Sequence, residues 1–131
     1  MPTITSSHKR EEYKVEIKSS TGNVIIADEP IAVGGKDLGF APKELLSSAL
    51  AACTSVTLHM YADRKGWDLQ EVKLEIDFER DEKANKTTLH RKLELIGNLD
   101  AEQRKRLLAI ANACPIHKVL SNPIEILTEL V

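Results

Sequence analysis

Several stretches of the chain alternate apolar and polar residues with the two-residue period of a half-buried β-strand. Residues 13–18 alternate in this way, residues 20–23 form a turn signal, and residues 24–27 predict a return strand. A third short strand is predicted at 31–33. Residues 69–79 show the clearest alternation, and residues 87–97 predict its antiparallel partner, with His90, Lys92 and Glu94 on the polar side.

Other segments carry the 3.6-residue period of helices. Pro42 begins a long helix that the sequence predicts to end near Lys65, before Gly66, and its many apolar residues predict burial on most sides. Asp100 and Gln103 are spaced as a capping box for a second helix that ends near residue 113. Pro115 then suits the first turn of a third, short helix, with Cys114 at its N-cap. Residues 122–123 stop that helix, and 124–130 predict a last strand.

These elements predict the order β-β-β-α-β-β-α-α-β, which is an α+β arrangement. The length of 131 residues fits one domain over 1–131, and a composition of 42% hydrophobic and 29% charged residues fits a globular protein. A net charge of −2 with interleaved signs gives no basic face for nucleic acid. The apolar stretch 45–60 is shorter than a membrane span of about 20 residues. The N-terminus has no signal-peptide core. We therefore expect a cytoplasmic protein without a membrane partner.

Two cysteines, Cys53 and Cys114, are the candidate chemical groups. In a reducing compartment they are not expected to form a permanent disulfide. Cys53 lies mid-helix, where a free cysteine is often a small buried hydrophobe. Cys114 at a helix N-terminus faces free backbone N–H groups, which favour its thiolate. Together they fit peroxide reduction, in which a thiolate becomes a sulfenic acid and a second thiol converts it to a disulfide. His117, three residues beyond Cys114, either tunes that thiol or is a surface histidine. No zinc-binding spacing is present.

Two segments carry a family resemblance. Residues 41–54 (APKELLSSALAACT) resemble the central-helix signature of the OsmC/Ohr family, and residues 114–120 (CPIHKVL) resemble its second-cysteine motif. The resemblance implies an intertwined homodimer with long central helices, a peroxidatic Cys53 and a resolving Cys114. It also implies reduction of organic hydroperoxides and, less efficiently, of hydrogen peroxide in the oxidative stress response. The reductant is then a dithiol or a lipoylated protein, with no metal or organic cofactor.

The resemblance also suggests two supporting residues. Relatives have a Glu directly after the helix-opening Pro, where this chain has Lys43 followed by Glu44. Glu44 is either the orienting carboxylate or a first-turn acid favoured by the helix dipole. It precedes Cys53 by nine residues, about 13–14 Å along a helix, so the orienting role requires Glu44 of a partner chain. Arg10 is either the cation beside the reactive thiolate or a solvated charge. Two alternatives to a peroxidase remain: a small-molecule or persulfide-binding redox protein on the same fold, and a structural dimerisation module with inert cysteines.

Overall fold

The computed structural model describes residues 1–10 and 12–131 of the chain, which form two compact units. The first unit comprises residues 1–46 and the second comprises residues 47–131. Both units contain β-strands, and helices occupy much of the second, so the predicted α+β class is confirmed. The prediction of a single domain over 1–131 stays a prediction.

The N-terminal unit is built around a three-stranded antiparallel sheet in the order β1-β2-β3. The strands are β1 (Ile4–Ser7), β2 (Val15–Ser19) and β3 (Val24–Ala27). β2 and β3 confirm the predicted hairpin, and Gly22 supplies the positive φ of 96° that its turn requires. β1 was not predicted, because its four exposed residues include only one large apolar side chain, Ile4.

The predicted strand at 31–33 is wrong, because Ile31–Val33 is a 3-10 helix. Pro30 begins it, and Gly34 ends it in the left-handed conformation with its N–H bonded to the Ile31 carbonyl. The buried carboxylate of Asp28 organises the surrounding loop by accepting the backbone N–H groups of Glu29 and Leu38. Burial raises the pKa of Asp28, but these hydrogen bonds outweigh it and lower the pKa overall.

The C-terminal unit contains a β-hairpin and helices. The long helix α1 (Pro42–Lys65) enters this unit from the first and has its predicted bounds. The hairpin comprises β4 (Glu71–Asp81) and β5 (Lys86–Ile96), which pair antiparallel along their whole length. The helices α2 (Ala101–Ala111) and α3 (Pro115–Leu120) follow. The predicted capping box of Asp100 and Gln103 is confirmed. The predicted strand at 124–130 is wrong, since these residues are exposed and form neither helix nor strand.

The core of this unit lies between α1, α2 and the residues that flank the hairpin. Its members are buried aliphatic side chains: Leu58, Ala62, Leu69, Leu99, Leu107 and Ala111. Trp67 and apolar residues of β4 and β5 pack against them and are partly buried. This core fixes the C-terminal halves of α1 and α2 relative to each other. It therefore positions the end of α2, where Cys114 follows.

Burial of α1 is narrower than the sequence predicted. Its buried residues form a single stripe at four-residue spacing, namely Leu50, Thr54, Leu58 and Ala62. Val56 and Met60, which we expected to be buried, are 58% and 57% exposed in the single chain. By length and composition α1 is also apolar enough to cross a membrane, a test that core helices of soluble proteins pass as well. Residues 45–60 alone are too short to span a membrane, as the sequence predicts, but the whole helix is long enough. Length alone therefore does not distinguish α1 from a membrane-spanning helix.

Candidate active site

The connection between α2 and α3 places Cys114 at the N-cap of α3, as predicted. Its backbone is extended, with φ −65° and ψ 148°, and Pro115 occupies the first helical position. The Cys114 side chain is fully buried, at 0% exposure. The backbone N–H of His117 donates to Cys114 Sγ at 3.3 Å. The thiol thus takes the place of the oxygen that usually caps a helix.

The surroundings of Cys114 favour its ionised form. Burial by itself raises the pKa of a thiol, because it removes the thiolate from water. The hydrogen bonds from the His117 N–H and from the side chains of Cys53 and Thr54, together with the charge of Arg91, act in the other direction. Their sum holds the pKa of Cys114 below its ordinary value. The site therefore stabilises the ionised form of Cys114 relative to that of an ordinary cysteine.

α1 brings Cys53 to the same site. Cys53 is half-buried, and its Sγ lies 3.9 Å from Thr57 Oγ1 one turn further along α1. Its neighbour Thr54 is fully buried, and Thr54 Oγ1 lies 3.9 Å from Cys114 Sγ. Both cysteines are free thiols. The structure thus joins two cysteines 61 positions apart in sequence, one partly accessible and one enclosed.

Arg91 supplies a positive charge that the sequence analysis did not identify. It lies on β5 at an inward-facing, partly buried position, in line with Leu89, Leu93 and Leu95. Its Nη1 donates to Thr54 Oγ1 at 2.9 Å. Its Nη2 reaches Asn112 Oδ1 at 3.1 Å and the Ala111 carbonyl at 3.3 Å. The sequence contains one indication of this role: Arg91 is a charged residue on the apolar side of an alternating strand. Lys92 and Glu94 lie on the opposite, exposed side, where charged residues are expected.

The imidazole of His117 completes this network. Arg91 Nη2 donates to His117 Nδ1 at 3.1 Å, so that nitrogen accepts and the ring proton lies on Nε2. His117 is half-buried. Its backbone N–H contacts Cys114, while its ring contacts the cation beside Cys114. Of the two interpretations of His117, the structure favours the one in which it belongs to the thiol site.

The two supporting residues suggested by the resemblance lie in the N-terminal unit. The Glu44 carboxylate accepts the backbone N–H of Ala41 at 2.9 Å, which caps the first turn of α1. That contact is the one expected of a first-turn acid, and a role for Glu44 toward a partner chain's thiol stays a prediction. Arg10 is exposed and lies in a turn that precedes β2. Its role beside Cys53 also stays a prediction.

A groove of about 440 Å³ opens beside the network within the C-terminal unit. Arg91, Asn112 and His117 line it, and its apolar walls are leucine side chains: Leu50, Leu89, Leu93, Leu108 and Leu120. No acidic side chain is among its lining residues in the described part of the chain. Within residues 1–10 and 12–131, no group of three or more His, Cys, Asp or Glu side chains is arranged to hold a metal ion.

Comparison with known proteins identifies the family of the chain. The profile described as OsmC-like protein matches residues 34–129, which include both cysteines and all of the helices α1 to α3. The chain belongs to the OsmC-like family. No curated protein matches the chain significantly.

Solved structures of OsmC-like proteins share the fold at low sequence identity. A Psychrobacter arcticus protein named for osmotic stress induction and detoxification response superposes with a TM-score of 0.79 at 22% identity, over 91% of this chain and 88% of that chain. An OsmC-like protein of Mycoplasma pneumoniae gives 0.75 at 21% identity, over 92% and 86%. An organic hydroperoxide resistance protein of Bacillus subtilis gives 0.64 at 22% identity, over 92% and 90%. The OsmC/Ohr fold predicted from the sequence is confirmed.

Proposed function

We propose that this OsmC-like protein reduces organic hydroperoxides, and hydrogen peroxide less efficiently, with Cys53 as the peroxidatic thiol and Cys114 as the resolving thiol. The observation that carries the proposal is the pairing of two free thiols of unequal exposure at one site. The half-buried Cys53 is open to a small oxidant. The enclosed Cys114 is protected from direct oxidation and is ready to attack a sulfur that has been oxidised first.

The reaction balances with the peroxide as the only oxidant. The Cys53 thiolate attacks the distal peroxide oxygen, the O–O bond breaks, and the released alkoxide takes a proton to become an alcohol. Cys114 then displaces hydroxide from the Cys53 sulfenic acid to form a disulfide, and the hydroxide is protonated to water. A dithiol or a lipoylated protein returns the disulfide to two thiols. Names of relatives support this chemistry, since they include organic hydroperoxide resistance proteins.

The leucine-lined groove supports an organic substrate over hydrogen peroxide. Burying apolar surface stabilises a bound alkyl chain by about 25 cal/mol per Å², a gain that hydrogen peroxide cannot make. The groove has Leu50 of α1 among its walls, three residues before Cys53 on the same helix. An alkyl group in the groove and a peroxide group at Cys53 would thus bind along one face of the unit.

The working form is proposed to be an intertwined homodimer in the cytoplasm. Support comes from apolar residues that the single chain leaves exposed on α1 and at the C-terminus, including Val56, Met60, Ile126 and Leu127. A partner chain that covers α1 would bury the residues that the sequence predicted to be buried. Glu44 of the partner and Arg10 are proposed to act on Cys53 in that assembly.

Turnover with defined peroxides tests the proposal. The purified protein is supplied with dihydrolipoamide as the dithiol, and consumption of cumene hydroperoxide and of hydrogen peroxide is measured. Cys53→Ser is expected to abolish turnover with both peroxides. Cys114→Ser is expected to form one sulfenic acid per chain, seen by a sulfenate-trapping reagent, and then to stop.

Ser55→Ala is the matched control: Ser55 lies two residues after Cys53 on α1, and its hydroxyl donates to the Ala51 carbonyl at 2.9 Å. This variant should retain turnover. If Cys53→Ser turns over as fast as the unaltered protein, the peroxidase assignment is wrong. A protein that consumes neither peroxide yet forms the Cys53–Cys114 disulfide with a persulfide would instead be the alternative redox protein.

A further inference from the structure

Among residues 1–10 and 12–131, no carboxylate forms an ion pair with Arg91. The acceptors of its hydrogen bonds are all neutral: Thr54 Oγ1, the Ala111 carbonyl, Asn112 Oδ1 and His117 Nδ1. Placing a guanidinium on the inward side of a strand costs free energy, which a nearby anion offsets. Cys114 can become an anion in this site, and it shares the Thr54 hydroxyl with Arg91, whose charge favours the thiolate.

The hydrogen atoms of the network assign a direction to each contact. The Thr54 hydroxyl donates its one proton to the Leu50 carbonyl at 2.7 Å, so Thr54 Oγ1 accepts from Arg91. In the neutral site, the contact between Thr54 and Cys114 is therefore made by the Cys114 S–H. When Cys114 is ionised, the Thr54 hydroxyl is free to turn toward the sulfur, because the Leu50 carbonyl keeps its helical N–H partner. The network thus accommodates the thiolate without leaving a buried group unpaired.

The titratable and charged groups facing Cys114 come from three elements. α1 contributes the Cys53 thiol, β5 contributes the Arg91 guanidinium, and α3 contributes the neutral imidazole of His117. Asn112, the C-cap of α2, is uncharged and accepts from Arg91. The one fixed charge in this set is positive, and Cys53 is the thiol whose side chain hydrogen-bonds Cys114.

We propose that Arg91 is a positioning residue that holds Cys114 as a thiolate, and that this thiolate is the base that removes the proton of Cys53. This inference rests on the proposed peroxidase function and adds a second role for Cys114. The proton moves from Cys53 Sγ to Cys114 Sγ, which leaves Cys53 as the thiolate that attacks the peroxide. The same proton then passes to the departing alkoxide, which gives the alcohol. Cys114 is again a thiolate when the sulfenic acid that it must attack has formed.

The test measures ionisation separately from turnover. In Cys53→Ser, the only remaining thiol is Cys114, and its ultraviolet thiolate absorbance is followed against pH. Adding Arg91→Met is expected to move the titration midpoint upward, because the positive charge is lost. Adding Lys92→Met, which removes a cation from the outward side of the same strand, is expected to leave the midpoint unchanged. Arg91→Lys, which keeps the charge, is expected to return the midpoint most of the way.

The rate of Cys53 oxidation supplies the second readout. With cumene hydroperoxide at pH 7, Arg91→Met in the otherwise unaltered chain should lower this rate about tenfold, and Lys92→Met should leave it within about twofold. Circular dichroism checks folding, and Arg91→Gln, neutral but still able to donate to Thr54, replaces Arg91→Met if that variant unfolds. An unchanged midpoint in the neutral variants overturns the role of Arg91. A protein that consumes no peroxide overturns the proposed function instead, whatever the midpoint does.

Discussion

The hydroxyl of Thr54 is the single atom whose removal most directly tests the network. Thr54→Val replaces it with a methyl group of nearly the same shape and leaves the β-branched side chain at a site of 0% exposure. Helix propensity changes little between the two residues. The substitution therefore removes the 2.9 Å hydrogen bond between Arg91 Nη1 and Thr54 Oγ1, together with the contacts of the same hydroxyl with the Leu50 carbonyl and Cys114 Sγ.

The magnitude follows from what is lost and what is gained. A hydrogen bond to a charged group contributes about 1.5–3 kcal/mol, and its loss leaves one N–H of Arg91 without that acceptor. The bond from Thr54 to the Leu50 carbonyl is also lost, but that carbonyl keeps its backbone partner within α1. The buried methyl group returns about 0.8 kcal/mol. We expect the free energy of unfolding to fall by about 1–2 kcal/mol.

Urea denaturation followed by tryptophan fluorescence measures this change. Trp67 is the one tryptophan in the sequence and packs against the core of the C-terminal unit, so its emission reports unfolding of the unit that contains Thr54. All variants are compared under reducing conditions at one protein concentration. Thr57→Val is the matched control, because Thr57 is on the same helix and its hydroxyl lies 3.9 Å from the Cys53 thiol. If Thr54→Val destabilises the protein no more than Thr57→Val, the hydrogen bond from Arg91 does not contribute as argued.

Two further predictions concern the core and the pH dependence of stability. Leu107→Ala should lower the free energy of unfolding by about 2–5 kcal/mol, because Leu107 is fully buried; Leu108→Ala, at a residue 54% exposed, should cost less than about 1 kcal/mol, and equal losses in urea denaturation would contradict the packing described. Because folding lowers the pKa of Cys114, the folded state binds its proton less tightly than the unfolded state, where a cysteine titrates near about 8.5. The free energy of unfolding of the reduced protein, relative to that of Cys114→Ser, should therefore rise with pH between the folded pKa of Cys114 and about 8.5 and level off above it. This extra stability should be lost as pH falls through the folded pKa. If the difference in stability instead falls with rising pH, the lowered pKa of Cys114 is refuted.

Most helices and strands could be predicted from local sequence because their signals are local. Pro42 and Gly66 mark the ends of α1, and the spacing of Asp100 and Gln103 marks the start of α2. Alternation over eleven residues in β4 fixed which side of that strand faces inward. The failures fall on short segments. Three apolar residues between Pro30 and Gly34 are too few to distinguish a strand from a 3-10 helix. Residues 124–130, which were predicted as a strand, do not form one in the single chain.

The candidate site could be predicted only as far as its cysteines. The N-cap position of Cys114 follows from Pro115 and is confirmed, because capping depends on adjacent residues. The cation beside Cys114 depends instead on the register of β4 and β5 and on where α2 ends, which are tertiary features. Arg91 lies opposite Ile76 in the hairpin and reaches residues of α1, α2 and α3. No local pattern carries that information beyond the placement of a charge among leucines.

That placement connects the fold with the chemistry. A β-strand that packs one face inward normally keeps charged residues on the other face, since desolvating a guanidinium costs free energy. β5 obeys this rule at His90, Lys92 and Glu94 and breaks it at Arg91. The exception, Arg91, contacts both Thr54 and His117, the residues that touch Cys114. The positive charge that desolvation makes costly on this strand is therefore the same charge that lowers the pKa of the buried Cys114 thiol.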